Sequence, residues 1–259
     1  MNYLDQFNLK NKKVLILGGC GLIGKEIVSA LAQTQAEVLV LDIKKLQSFN
    51  RIGYEYFDLS HKNYFNKFKQ ILSKFKPNIF LNCSYPHDKK WKENNFTQIK
   101  LKSFIRNIEL NLVSYSILAN LSAEFMVKKK INGSIIQFGS IYGSMGQDLS
   151  IYKGTDMREN MSYSIIKGGV HNLTRQMASY YGKYDIKVNT IAPGGVEGHV
   201  ANGSKTQNIK FKKNYSYKVP LGRLANVRDI PGLVIFLCSD LSSYITGTTI
   251  FIDGGWTAI

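Results

Sequence analysis

Val14-Leu15-Ile16-Leu17-Gly18-Gly19-Cys20-Gly21-Leu22-Ile23-Gly24 decides how this chain folds. Four apolar residues between lysines and glycines predict a short strand buried on both faces, as in a parallel sheet. The glycines then open a helix expected over residues 22–33. In that strand-turn-helix setting Gly18, Gly21 and Gly24 serve a tight turn, close backbone approach to a pyrophosphate, and helix–strand packing. The helix start at Leu22 and Ile23 presents unpaired N–H groups and the positive end of the helix dipole to the phosphates. A second strand at 37–41 leads into Asp42. A carboxylate at that point accepts hydrogen bonds from an adenosine ribose diol and repels a 2′-phosphate, so NAD is the expected cofactor. Lys44 and Lys45 follow closely and keep NADP open, and the plain alternative for Asp42 is a turn cap.

Outward from this motif, strand-like runs recur at 54–57, 79–82, 134–138, 187–191 and 249–252. Helical stretches fall near 62–75, 103–129, 162–181 and 227–239. Strands alternating with helices predict an α/β fold, a single doubly wound parallel sheet of Rossmann type with helices on both faces. No linker, repeat or low-complexity block interrupts it, so residues 1–259 are expected to form one domain. Two polar, glycine-containing segments, 141–160 and 194–219, are long for plain connections and are expected to be substrate loops. Asp58-Leu59 after the third strand is expected beside an adenine. Asn82-Cys83-Ser84 after the fourth is expected to line the cofactor cleft.

Of the 259 residues 44% are hydrophobic, which is ordinary for a globular chain. The formal charge of +16 is not ordinary. Its lysines are scattered, and the single run of three, Lys128-Lys129-Lys130, reads as a helix end that favours cations. Without a basic-aromatic stripe, nucleic acid is not an expected partner; a small-molecule substrate, anionic or sugar-linked, is. No apolar run approaches the roughly 18 residues of a membrane span. The first residues lack the pattern of a secretory signal. Cys20, Cys83 and Cys238 are odd in number, far apart and free of a CxxC pair, as expected of reduced thiols in a cytoplasmic protein. His61, His87, His171 and His199 have no metal-ligand spacing, so no metal is expected.

Tyr163 and Lys167 lie four residues apart on a predicted helix, which places them on one face. There the ammonium is expected to lower the phenol from its free pKa of about 10. Ser140 falls at the carboxyl end of the strand at 134–138, where the active groups of such sheets converge. Phenol, ammonium and hydroxyl together suit proton transfer at a carbonyl or alcohol oxygen while a nicotinamide handles hydride. Tyr85 and Lys89 repeat the spacing, but Pro86 between them rules out a regular helix there.

In this order the pieces resemble the short-chain dehydrogenase/reductase family over essentially the whole chain. They are the glycine turn, Asp58-Leu59, Asn111 in Glu109-Leu110-Asn111-Leu112, Ser140, Tyr163 with Lys167, Asn189-Thr190-Ile191-Ala192-Pro193-Gly194, Pro220-Leu221-Gly222-Arg223, and the C-terminal Ser239-Asp240, Ile245-Thr246-Gly247 and Asp253-Gly254-Gly255. The resemblance implies that Tyr163 is the general acid/base and that Lys167 also holds the nicotinamide ribose. It implies that Ser140 bonds the reacting oxygen and that Asn111 holds a water linking Lys167 to solvent. Pro193, Gly194 and Val196 join the implied cofactor contacts. It also implies dimers or tetramers through the helices at 103–129 and 162–181, with Trp256 to Ile259 in a second interface.

Some features depart from the family pattern. The glycine turn has the G-x-x-G-x-x-G spacing of the sugar-nucleotide branch. Asn82-Cys83-Ser84-Tyr85 replaces the usual Asn-Asn-Ala-Gly, and Gly198 stands near a customary threonine. The interval from Ser140 to Tyr163 is longer than usual, so Lys153, Gly154, Asp156 and Arg158 are expected in a loop over substrate. Tyr142, Met145 and Tyr152 are candidates for an apolar wall, and Lys205, Lys210, Lys212 and Lys213 for attracting a phosphate. The expected function is an NAD(H)-dependent oxidoreductase interconverting a secondary alcohol and a ketone, on a sugar or sugar derivative in bacterial surface-carbohydrate biosynthesis. The alternatives are a 3-oxoacyl-carrier-protein-type reductase and a non-catalytic dinucleotide-binding regulator.

Overall fold

The computed structural model describes residues 3–46, 51–86, 91–198 and 207–259; His87, Lys89, His199 and Lys205 lie outside them. β1 (Lys13–Leu17) shows why the first motif is decisive. Its side chains alternate across the sheet, Leu15 and Leu17 entering one core and Val14 and Ile16 the other. Each fully buried side chain of this kind contributes about 1.5–3 kcal/mol. Beside β1 run β2 (Glu37–Asp42), β3 (Ile52–Tyr56), β4 (Ile79–Asn82), β5 (Gly133–Phe138), β6 (Ile186–Pro193) and β7 (Thr249–Ile252). They form one sheet in the order 3-2-1-4-5-6-7, and every pairing is parallel.

Both faces are covered. Helix α1 (Leu22–Leu31) packs Ile27, Val28 and Leu31 on one face. On the other, α2 (Tyr64–Phe75) contributes Phe68, Ile71 and Leu72. α3 (Leu101–Ile108) leads into α4 (Ser114–Lys129), which adds Leu118, Ala119, Ala123 and Met126 to that core. α5 (Met161–Tyr181) adds Met177, Ala178 and Tyr181. α6 (Ile209–Lys218) lies beyond the carboxyl end of β6, and α7 (Pro231–Cys238) joins α1. The chain leaves the β3 edge and returns on the far side of β1 as β4. The order therefore reverses there, and a crevice opens above the carboxyl ends of β1 and β4.

Several elements differ from the sequence reading. The third strand starts two residues earlier than expected and ends one earlier. The helical run at 103–129 begins at Leu101 and is interrupted by a π-turn at Glu109–Val113. Ser114 Oγ back-bonds the carbonyls of Leu110 (2.6 Å) and Asn111 (3.2 Å) there, contacts that loosen regular helix. By length and composition this run, Leu101–Lys129, equals a membrane span, yet half of its most apolar window is buried in the protein. Its apolar face is that of a core helix. Within the supposed loop at 194–219, α6 forms because Phe211 and Tyr215 share one face and bury it among lysines. The helix expected at 227–239 starts late: Val227–Asp229 is a separate 3-10 turn closed by an Asn226–Asp229 capping box. Pro231 then opens α7, where its missing N–H costs nothing.

Candidate active site

Asn160 caps α5, its side chain accepting the backbone N–H of Tyr163 at 2.9 Å. This fixes Tyr163 in the first helical turn and Lys167 one turn on. The Lys167 ammonium is buried and donates to the Phe138 carbonyl at 2.7 Å. The rings of Tyr85, Tyr115 and Tyr163 surround it, 5.0, 5.3 and 5.7 Å from Nζ to their centroids. Burial among these rings pushes the Lys167 amine down to about 7. Burial likewise pushes the Tyr163 phenol above its ordinary value, against the pull of a hydrogen bond from Ser140. The downward phenol shift expected from the sequence is thus reversed in the free chain. Burial of the phenol outweighs what its neighbours do to lower it.

Ser140 stands two residues beyond the end of β5 and is 5% exposed. Its Oγ accepts the Tyr142 N–H at 3.3 Å and caps the 3-10 turn Ile141–Gly143. Asn111 sits inside the π-turn, fully buried, its amide donating to the carbonyls of Asn107 and Pro86 at 3.2 Å each. Its Oδ1 has no partner among the described residues. A buried acceptor of this kind is what a bound water satisfies.

Along the crevice runs a cavity of about 430 Å³. Gly18, Gly21, Leu22, Ile23 and Gly24 line it at the start of α1. Asp42, Asp58 and Leu59 line it on the β2–β3 side, with Cys83 and Ser84 after β4. Tyr163, Lys167, Pro193, Gly194 and Val196 line it on the β5–β6 side. Asn82 does not. It is wholly buried behind the wall, where its Oδ1 accepts the Ser84 N–H (3.2 Å) and hydroxyl (2.7 Å). Asp42 accepts the N–H of Cys20 and of Lys44, each at 2.9 Å, so it ties the glycine turn to β2 while also facing the cavity.

The cradle leaves no space for side chains. Gly18 has φ +86°, and a Cβ there would stand 2.6 Å from the Ser84 backbone. One on Gly24 would stand 2.1 Å from the Gly18 carbonyl oxygen. Backbone amides at a helix start, a carboxylate at one side and a buried lysine at the other fit a nicotinamide dinucleotide. Cys83, in place of the usual asparagine, tucks its thiol against the Leu17 carbonyl at 3.3 Å. Burial pushes the Cys20 thiol up to about 11 and the Cys83 thiol to about 12, so both behave as apolar groups.

The two segments expected to be substrate loops pack against each other. Tyr152 stacks on Phe211 (6.0 Å, 13°), and Asn214 donates to the carbonyls of Ile151 (3.2 Å) and Lys153 (3.0 Å). Lys218 pairs with Asp148. Tyr142 and Met145 pack against the same cluster. Arg158 reaches Thr97 Oγ1 at 3.5 Å. Tyr215 stacks on Trp256 (4.5 Å, 23°) and accepts the Gly195 N–H at 2.5 Å, bracing the wall that carries Pro193 and Gly194. Lys212 is held by Glu197, whereas Lys210 lies over Gly154 and Lys213 is exposed. Gly198 approaches α1; a Cβ there would meet the Leu22 side chain at 2.5 Å.

Three site residues escaped sequence reasoning. Tyr85, dismissed with its spacing to Lys89, packs its ring edge-on to Tyr163 at 5.2 Å; the missing glycine of Asn-Asn-Ala-Gly was its signal. Tyr115 donates to the Ser84 carbonyl at 2.5 Å and follows Asn111 by one turn. His171, singled out in the sequence only for lacking metal-ligand spacing, is 1% exposed beside Ser140, one turn beyond Lys167. Among the described residues no group of three potential metal ligands comes together.

Residues 21–257 match the family described as enoyl-(acyl carrier protein) reductase. A solved short-chain dehydrogenase from Leptospira borgpetersenii with bound NAD+ superposes with a TM-score of 0.86 and is 32% identical, covering 99% of this chain and 96% of that one. The chain belongs to the short-chain dehydrogenase/reductase family and is an oxidoreductase. Among its relatives, post-translational flagellin modification protein A of Campylobacter coli is 29% identical over 96% of this chain and 99% of that protein. The 3-oxoacyl-[acyl-carrier-protein] reductase FabG of Buchnera aphidicola is 27% identical over 95% and 98%.

Proposed function

We propose that this oxidoreductase uses NAD(H) to interconvert a secondary alcohol and a ketone on a sugar or sugar derivative, in bacterial surface-carbohydrate biosynthesis. The observation that carries the reading is the meeting of Tyr163 and Lys167 with the glycine cradle in one cavity, the Ser140 hydroxyl being near enough to pull the Tyr163 phenol down. A bound nicotinamide supplies or accepts the hydride. In the reductive direction Tyr163 Oη gives its proton to the carbonyl oxygen as that oxygen gains charge, and the Ser140 hydroxyl donates a hydrogen bond to the same oxygen. Lys167 Nζ, buried and with its amine pushed down to about 7, returns a proton toward Tyr163. Asn111 Oδ1 is the acceptor for a water that refills it from solvent.

Asp42 facing the cavity supports NAD, as does the NAD+ in the Leptospira structure. The flagellin-modification relative, the formal charge of +16 and the aromatic cluster support a sugar derivative. One observation favours a second reading, an acyl-carrier-protein reductase: exposed lysines on α6 suit an acidic carrier, and such reductases stand among the relatives. We take residues 1–259 as one domain working in the cytoplasm, consistent with free thiols at Cys20, Cys83 and Cys238. Exposed Leu101, Ile105 and Val113 on the long helical run support a homodimer or homotetramer.

Nicotinamide absorbance across sugars, sugar phosphates, nucleotide sugars and acyl-carrier thioesters tests the proposal, with NAD(H) and NADP(H) compared. Turnover of a sugar derivative with NAD(H) is expected. Turnover confined to a carrier thioester with NADPH would replace it with the second reading.

A further inference from the structure

We propose that His171 is a positioning residue, which locks the turn carrying Ser140 against the helix carrying Tyr163 and Lys167. This rests on the acid/base reading above. His171 follows Lys167 by four residues and Tyr163 by eight, so all three share one face of α5. Its Nε2 accepts the Ser140 backbone N–H at 3.4 Å, and its Nδ1 lies 3.0 Å from Ser144 Oγ. The ring therefore spans both ends of the turn around Ile141–Gly143. With Nε2 accepting, the neutral ring carries its proton on Nδ1 and donates it to Ser144 Oγ, a tautomer assigned from these partners.

The surroundings are shaped to the ring. A Cβ on Gly139 would stand 2.2 Å from Nε2, and one on Gly143 would stand 2.6 Å from Cε1. The turn closes on the imidazole only because both positions lack side chains. The sheet also stops there: Gly139 N–H makes the last bond to β6, donating to the Ile191 carbonyl at 2.8 Å. Ser140 is the first residue past the ladder, and its N–H goes to His171 instead. The Ser140 hydroxyl is oriented by the same turn through Tyr142 N–H. An apolar residue at 171 would fill the space and leave the Ser140 N–H without an acceptor, freeing the turn to shift. Displacements of about 1 Å at a reacting group cost on the order of 100-fold in rate.

The test uses His171→Leu, His171→Gln and His171→Asn in the full chain, with two readouts. The first is kcat and the KM for NAD(H) on whichever panel substrate the wild type turns over. The second is amide hydrogen exchange at Ser140, which needs no turnover. The leucine variant is expected to lose about tenfold or more in kcat, with the dinucleotide KM within about twofold and faster Ser140 exchange. Glutamine places an amide oxygen near the Nε2 position and recovers most of both. Asparagine, too short to reach Ser140 N–H, does not. Should the leucine variant fail to fold, the Gln/Asn pair decides. Equal kcat and equal exchange in those two variants overturn the inference, as does a leucine variant indistinguishable from wild type. A wild type that turns over nothing on the panel defeats the proposed substrate reading separately, and the exchange data still decide whether His171 holds the turn.

Discussion

The two sides of the cavity are built from different materials. On the α1 side the functional groups are backbone amides, and the residues that make them available are glycines. On the α5 side they are side chains, buried among aromatic rings and brought together from five separate segments. A backbone site is specified locally, by a run of seven residues from Gly18 to Gly24. A side-chain site depends on tertiary packing, and its electrostatics follow burial more than spacing. The Lys167 amine illustrates this: its neighbours on the helix are fixed by a four-residue interval, yet its pKa is set by burial, among rings from the segment after β4, from α4 and from α5.

Substitutions that strike one side and spare the other separate them. Tyr163→Phe removes the proton donor and leaves the cradle intact. It is expected to lower kcat about 1,000-fold while dinucleotide affinity, measured by fluorescence titration, stays within about threefold. Gly24→Ala does the opposite, driving a methyl against the Gly18 carbonyl. Dinucleotide affinity is expected to fall by about 100-fold or more, because the turn must move away from the phosphates. If either variant moved both quantities equally, the division into two sides would be wrong.

Smaller effects sharpen the contrast. Lys218→Ala cuts the tie between the two packed segments at Asp148. Both partners are partly exposed, so the loss is small; substrate KM should rise a few-fold at most, with dinucleotide affinity unchanged. A pH effect acts on stability and leaves both sides of the cavity intact. Burial and the nearby charges of Lys167 and Arg175 push the His171 imidazole down to about 4 from 6.5. The depressed folded value means that the neutral ring supports the fold fully above about pH 6.5, and that this support fades as pH falls toward 4. Thermal unfolding should show that slope in the wild type and lose part of it in His171→Gln. An unchanged slope would mean that the imidazole is not held neutral.

Legibility in the sequence follows the same line. The alternation from β1 to β7 was readable because parallel strands are continuous apolar runs and the covering helices are long. The glycine turn and the Tyr163–Lys167 pair were readable because each is local. Tyr85 and Tyr115 were not, since what matters is the direction of their rings across the cavity. Asn82 was misplaced because a strand end holds both wall residues and the residues behind them, and spacing does not say which. α6 was hidden by its lysines, with only Phe211 and Tyr215 marking a buried face. His171 carried a signal, its i+4 interval from Lys167, but a lone histidine on a core helix is ordinarily just a satisfied one.

The most direct test of the central claim is a crystal structure of the chain with NAD+ bound. The account predicts the pyrophosphate on the Gly18–Gly24 turn, the adenosine ribose against Asp42, and the nicotinamide beside the hydroxyls of Tyr163 and Ser140. A dinucleotide seated elsewhere, or a nicotinamide separated from Tyr163 by protein, would contradict it.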